Sequence, residues 1–550
     1  MEVLELQLAK RALLSTPVRG GLGWAAASYH LAVVIGGMWG RPLGWRRPWR
    51  PALAAALLAA FPVRGEEAPV EVEPFPGQIP TFSYQEPAPG PHRLRASTEL
   101  LAMQAIAFTG YLVVNPRASI PGMQGSVPPW DKLLLRSGTW SFEADDIRHN
   151  YIGHPVASTL YYLTARGNRL PVLESSLWTG ASSLAWELAE YNEPISVNDM
   201  MTTTFAGIAI GEALTQLSTW AERSGTGGVL SWLAFPKKVH DLVDGASPAR
   251  LEEPGWHELR TFVGAGPLWQ GEGDPRLALQ ASLSTRLFRL PGYGAPGSGS
   301  ASLTDAERSR LGLSLTWGGG GLLDARFRTE TSLWGFYRRD IALETGERRH
   351  GTDLFVGAVI GFDYQYHEGR LPASTWSDQM ILLEVPGAEL DFRTFAGPLS
   401  LETRASAALT FGGVRPLAFE GAAPLPPEVG LPAVMSRQGY YHSAGYALGL
   451  DVRLELGPAS LSAGVAYNDC RAIQELDGIP RGAKRVEISD ARLETGARAA
   501  YRLEGSGVEI LARWDRRVRS GHLGTSERAA ADTLGLLGVA FASESPDPRP

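Results

Sequence analysis

From Trp256 to Phe541 apolar and polar residues alternate in segment after segment, and a period of two admits little besides β-strands with one greasy face. Leu277, Leu279, Ala281, Leu283, Thr285 and Leu287 share one side of such a segment, while Arg276, Gln280, Ser282, Ser284 and Arg286 share the other. The pattern returns with Leu323, Ala325, Phe327 and Thr329, with Tyr446 through Leu456, and with Ala491 through Tyr501. GPLS at Gly397, GPAS at Gly457 and EGSG at Glu504 read as short turns, whereas Gly412 to Gln438 and Ser520 to Glu527 read as longer loops. Strands of about ten residues with short turns at one end and long loops at the other describe an outer-membrane barrel. A β-sandwich uses strands of about 5–6 residues. The expectation is a closed antiparallel barrel of roughly twelve strands over 256–542, followed by a polar tail, 543–550.

The alternation contrasts with what precedes it. Residues 94–240 carry helical periodicity and read as a small helical domain, so the fold class is α plus transmembrane β. Residues 66–93 are rich in Pro and Glu and read as an extended linker. Before them, Arg46, Arg47 and Arg50 precede the apolar run Ala52 to Phe61, then Gly65 and acidic residues. That series predicts a cleaved signal peptide ending near Gly65, within a leader 1–65 whose true start is read as Met38. The single cysteine, Cys470, excludes an intrachain disulfide and argues against a Cys-based metal site. With 51 basic and 58 acidic residues in mixed order, the chain lacks the basic stripe of a nucleic-acid binder. The partners expected are outer-membrane lipid and a periplasmic protein, with no cofactor and no nucleic acid.

Within the helical domain, charges fall on an otherwise apolar, small-residue background between Asn150 and Trp220. His154-Pro155 reads as a helix start, with Gly167 as its end. Glu187 and Glu190, three apart beside Trp186, share a face of the second helix. Ser196 and Asp199 read as an N-cap and its partner three residues on, and Gly207 and Gly211 allow a close helix approach in the third. Asn150, Gly153-His154-Pro155, Tyr161-Tyr162, Ala165-Arg166, Trp186-Glu187, Glu190, Ser196-Val197-Asn198-Asp199, Gly207 and Gly211-Glu212 together resemble the core of domain-of-unknown-function family 3943. The resemblance covers about Asn150 to Leu217, implies an envelope protein of Gram-negative type bacteria, and brings no known activity.

His154, Glu187, Glu190 and Asp199 are the candidate catalytic or metal-ligating set, because an imidazole among carboxylates can hold a cation or move a proton. The structural alternative assigns His154 and Asp199 to helix caps and pairs Arg166 with Glu187 or Glu190. No HExxH, GxSxG or glycine-rich phosphate loop occurs in this region. Three classes follow: a structural or assembly barrel, an envelope lipid- or glycan-modifying enzyme, and a narrow gated channel. Ser443 and His442 are adjacent and so point to opposite faces of a strand, which discounts them as a catalytic pair.

Overall fold

The computed structural model describes residues 90–544, apart from 115–126, 135, 137, 191–192, 225–227, 246–254, 272, 291, 345–347, 372–373, 420–428 and 474–483. The expected leader, signal peptide and start at Met38, most of the linker, and most of the tail lie outside the described residues. Among them, seven helices precede the strands: α1 Arg93–Val114, α2 Pro129–Leu133, α3 His154–Gly167, α4 Val172–Ala189, α5 Val197–Met201, α6 Gly207–Arg223 and α7 Phe235–Val243.

The strands are β1 Trp256–Gln270, β2 Arg276–Phe288, β3 Gly297–Leu303, β4 Arg308–Gly318, β5 Gly321–Glu344, β6 Arg348–Leu371 and β7 Ser374–Gly397. They continue as β8 Leu399–Val414, β9 Tyr441–Leu456, β10 Ala459–Ala472, β11 Ile488–Arg502, β12 Val508–Leu523 and β13 Ser526–Glu544. Neighbours pair antiparallel, β13 closes on β1, and β5 pairs with β6, so the sheet is a closed barrel. β3 and β4 pair with successive halves of β5 and occupy one position, which makes the barrel twelve-stranded. Followed once round, the paired rows that leave β5 at Ala325 return to it at Ala342, and 342 − 325 is 17 residues of stagger. Such stagger goes with strongly tilted strands. The turns at Gly397 and Gly457 use positive φ (65° and 55°), a conformation glycine adopts without steric cost.

Alternation sorts the wall as anticipated, with two corrections. A register shift beside Trp317 inserts Leu323 as an extra residue, and it packs with Leu268 and Ala278 inside rather than joining Ala325 and Phe327 outside. Ser520 to Glu527 is no loop: Ser520 pairs with Ala529 and His522 with Glu527, leaving only a tight turn at Gly524.

Side chains cross the lumen and close both of its ends. Its centre is crossed by ion pairs between distant strands: Arg326–Glu494 (2.6 Å), Arg517–Asp324 (2.7 Å), His367–Asp532 (2.8 Å) and Arg453–Glu258 (3.0 Å). One end is stoppered by Phe288, Leu290, Tyr293, Tyr337 and Phe355. The other is stoppered by Met380, Leu382, Val414, Ala418 and Met435, with Arg519 bound to Asp490 beside them (3.0 Å). A cavity of about 610 Å³ lies between, lined by charged side chains that include Arg328, Arg404, Arg498 and Asp515.

The helices pack on the outside of the wall. Tyr162, Ile208 and Ile210 join one apolar cluster with Phe362, Tyr364, Ile381 and Leu383, residues that alternate with lumen-facing Asp363 and Leu382. Leu217 of α6 packs against Leu259, Leu287 and Leu311, flanked by Trp220. Elsewhere the same outer face is open: Leu277, Leu448, Leu493, Ile510 and Leu537 are exposed. Register shifts at adjoining positions of β5, β6, β7 and β8 bend the wall beside the docked helices.

Candidate functional site

Two π-helical turns, His149–Gly153 and Thr202–Ala206, lead into α3 and α6 and set the faces these helices present. α6 lies close against α3 because Gly207 and Gly211 carry no side chain. A Cβ at Gly207 would meet Ser158 at 2.8 Å, and one at Gly211 would meet the Tyr162 ring at 2.5 Å. The charges of this region then divide into two centres, not one.

The first centre joins α3 to α6. Arg166 Nε donates to Glu212 Oε2 at 2.9 Å, Tyr162 donates its hydroxyl to the same oxygen at 2.9 Å, and Gln216 Nε2 donates to Oε1 at 3.1 Å. Arg166 Nη1 also donates to the Leu170 carbonyl at 2.7 Å. Glu212 is fully buried and well supplied with donors. The expected pairing of Arg166 with Glu187 or Glu190 is therefore wrong. α6, not α4, supplies the partner, because its two glycines bring it close enough.

The second centre lies where α3, α4 and α5 meet the segment after Trp140. His154 Nε2 stands 3.4 Å from Asp199 Oδ2, and one ligand-type atom each from Glu143, His154 and Asp199 lies within 4.8 Å of the others. Asn198 organises the approach: its Oδ1 accepts from the Glu143 backbone N–H (2.9 Å) and from Ser196 Oγ (3.0 Å), and its Nδ2 donates to Asp199 Oδ1 (2.8 Å). Glu187 Oε2 accepts from the Ser196 backbone N–H at 2.6 Å, and Trp186 Nε1 donates to Glu190 Oε1 at 2.9 Å. Lys132, fully buried, donates its ammonium to the carbonyls of Glu187 and Glu190 at the end of α4. The ring of His149 stands edge-on to that of His154, 5.0 Å between centroids.

Two assigned roles change here. His154 caps nothing, since the π-helical turn before it already continues the helix backwards and Gly153 holds the N-cap position without a side-chain bond. Ser196 does accept from the Asp199 N–H (3.3 Å), but Asp199 does not reciprocate, because Glu187 has taken the Ser196 N–H.

The electrostatics follow from burial. Desolvation pushes Glu187 and Glu190 up to about 8, and Lys132 opposes this weakly. Burial raises both Glu143 and Asp199, and the neighbouring Asp199 raises Glu143 further, while burial lowers His154 to about 4, leaving it neutral at pH 7. Glu187, Glu190 and Glu193 thus face the Lys132 ammonium, which is itself bound to carbonyls, and Glu143 and Asp199 lie beyond them.

The barrel buttresses this centre. Asn150 Nδ2 donates to the Tyr440 hydroxyl (3.0 Å), which donates to the Asp145 carbonyl (2.8 Å). His442 Nε2 lies 3.0 Å from the Glu143 carbonyl and must carry its proton there, so Nδ1 accepts from the Tyr151 hydroxyl at 2.7 Å. Ser443, on the opposite face, donates to the Gly412 carbonyl. Sequence reasoning missed Glu143, Lys132 and Tyr440, and weighed His442 only as a partner of Ser443. Glu143 stands in WSFEADD beyond the helical periodicity, and the others carry no local motif.

Residues 139–234 match the model of a family described as Domain of unknown function (DUF3943), a span that holds both centres. No curated protein matches the chain. Among solved structures, the beta domain of the Bordetella autotransporter BrkA is 13% identical, with 52% of this chain and 99% of that one covered at a TM-score of 0.22. The translocator domain of the autotransporter NalP from Neisseria meningitidis is 14% identical over 59% of this chain and 99% of its own, TM-score 0.20. The KdgM porin is 11% identical over 52% and 98%, TM-score 0.17.

Proposed function

We propose that this chain, a barrel that carries the DUF3943 domain on its flank, resides in the bacterial outer membrane as a non-conducting protein with a structural or envelope-maintenance role. Its helical region works at the lateral, lipid-facing boundary. The observation that carries this reading is the place of the helices, which cover part of the outer wall and leave the already stoppered lumen alone. A gate would stand over a mouth, and the barrels that leave a wide aqueous channel have about sixteen to eighteen strands. The helices' own outer surface supports the same view. α1 carries no charged residue from Leu100 to Val114, and Leu101, Ile106 and Val113 are exposed, as are Leu173 and Leu177 of α4. That surface is apolar like the exposed leucines of the bare wall, so outer-membrane lipid is the partner it suits.

The reading is tested by reconstituting single-tryptophan chains in bilayers of brominated lipid. Tryptophan at Leu448→Trp on the bare wall and at Ile106→Trp on α1 should both be quenched by acyl-chain bromine, with no steady conductance across the bilayer. Quenching at Leu448→Trp but not at Ile106→Trp would remove lipid from the helical face and favour a periplasmic protein partner. A steady conductance would overturn the non-conducting role.

A further inference from the structure

The centre around His154 has a geometry that hydrogen bonding alone leaves incomplete. His154 Nε2 is buried and makes no hydrogen bond, although it lies 3.4 Å from Asp199 Oδ2. The two atoms converge without the alignment of a donor and an acceptor, and a Glu143 carboxylate oxygen joins them within 4.8 Å. Tetrahedral zinc holds His nitrogen at about 2.0–2.1 Å and carboxylate oxygen at about 2.0–2.2 Å, which places neighbouring ligand atoms roughly 3.4 Å apart. The observed His–Asp spacing is that of two ligands of one ion.

We propose that Glu143, His154 and Asp199 bind a divalent transition-metal ion of the zinc type, with a fourth position open toward His149. The donor set selects the class of ion. One imidazole with two carboxylates suits zinc and its neighbours, whereas calcium takes six to eight oxygen ligands and magnesium keeps octahedral oxygen and water. The surroundings are those of a supported site. Asn198 orients Asp199 by donating from Nδ2 to its Oδ1 and fixes the Glu143 backbone by accepting from its N–H, while Ser196 binds Asn198 in turn. The Arg166–Glu212 centre is the internal control. It is buried in the same helical region, and Glu212 has its own guanidinium, so it needs no ion.

The test uses the full chain folded in detergent, stripped with a chelator and equilibrated with Zn²⁺ alone, the bound metal being measured after removal of free ion. The expected result is about one zinc per folded chain, and with Co²⁺ the visible absorption of a tetrahedral or five-coordinate site. Glu143→Gln and His154→Ala should weaken binding at least tenfold with barrel folding retained, as judged by heat-dependent gel mobility. Asn198→Ala, which touches the ligand and not the metal, should weaken it by about 10- to 100-fold. The wild-type cobalt spectrum stands even if a variant fails to fold. Three results would overturn the proposal: a folded wild type that binds no Zn²⁺ and gives no cobalt spectrum, variants that bind as tightly as wild type, or Mg²⁺ and Ca²⁺ displacing zinc at equal concentration.

Discussion

The two buried polar centres of the helical region are built from the same residue types and differ in whether their charges balance. At Arg166–Glu212 a carboxylate without solvent exposure receives a guanidinium, a tyrosine hydroxyl and an amide N–H, and nothing further is required. At His154 the carboxylates outnumber the cations, the imidazole is neutral, and its Nε2 has no hydrogen bond. A buried charge that is paired and hydrogen-bonded can serve the fold, whereas buried carboxylates kept short of cations make the fold depend on protons or on a bound ion. The first centre joins helices, and the second is poised for a ligand.

Arg166→Ala should separate the centres most strongly. Removing one partner of a buried pair leaves Glu212 with only the more distant Arg289 guanidinium, 3.9 Å away, at a cost of about 3 kcal/mol, and urea unfolding of the helical region, followed by far-ultraviolet circular dichroism in detergent, would measure it. Gly211→Ala comes next, at about 1–3 kcal/mol of overpacking, since the new Cβ would stand 2.5 Å from the Tyr162 ring. Ser196→Ala, which removes an N-cap oxygen beside the second centre, should cost about 1 kcal/mol.

A pH series sharpens the contrast further. Glu187 and Glu190 hold protons up to about pH 8 in the folded state, and in the unfolded chain only to ordinary carboxylate values. Their contribution is therefore fully present below about pH 4.5 and is lost as pH rises through 8. Among the described residues the charged groups facing them are Lys132, Glu143, Glu193 and Asp199, so the engaged lysine is the cation that offsets the loss. In chelated protein the helical region should melt lower at pH 8 than at pH 5, and added Zn²⁺ should narrow the gap. A melting temperature independent of pH would contradict this electrostatic picture.

The barrel was legible because lumen and exterior impose opposite chemistry on alternate residues, as at Arg326–Phe327–Arg328. The docking of helices on its flank was not. Phe362, Tyr364 and Ile381 satisfy a helix as readily as they satisfy lipid, and sequence registers only that they are apolar. Spacing within each helix gave Glu187 with Glu190 and Gly207 with Gly211. It could not say which of several glutamates Arg166 would meet, because that choice rests on a glycine-mediated approach between α3 and α6. Glu143 escaped notice for a related reason: its backbone is fixed by Asn198, 55 positions away.

The most direct test of the two-centre account is one pair of unfolding curves, Arg166→Ala beside His154→Ala, recorded on chelated full-length protein at one pH. The account predicts that Arg166→Ala unfolds the helical region at much lower denaturant while His154→Ala shifts the midpoint little, because the imidazole makes no hydrogen bond through Nε2. Equal loss in both variants would contradict it, and would make the His154 centre as much a part of the fold as Arg166–Glu212.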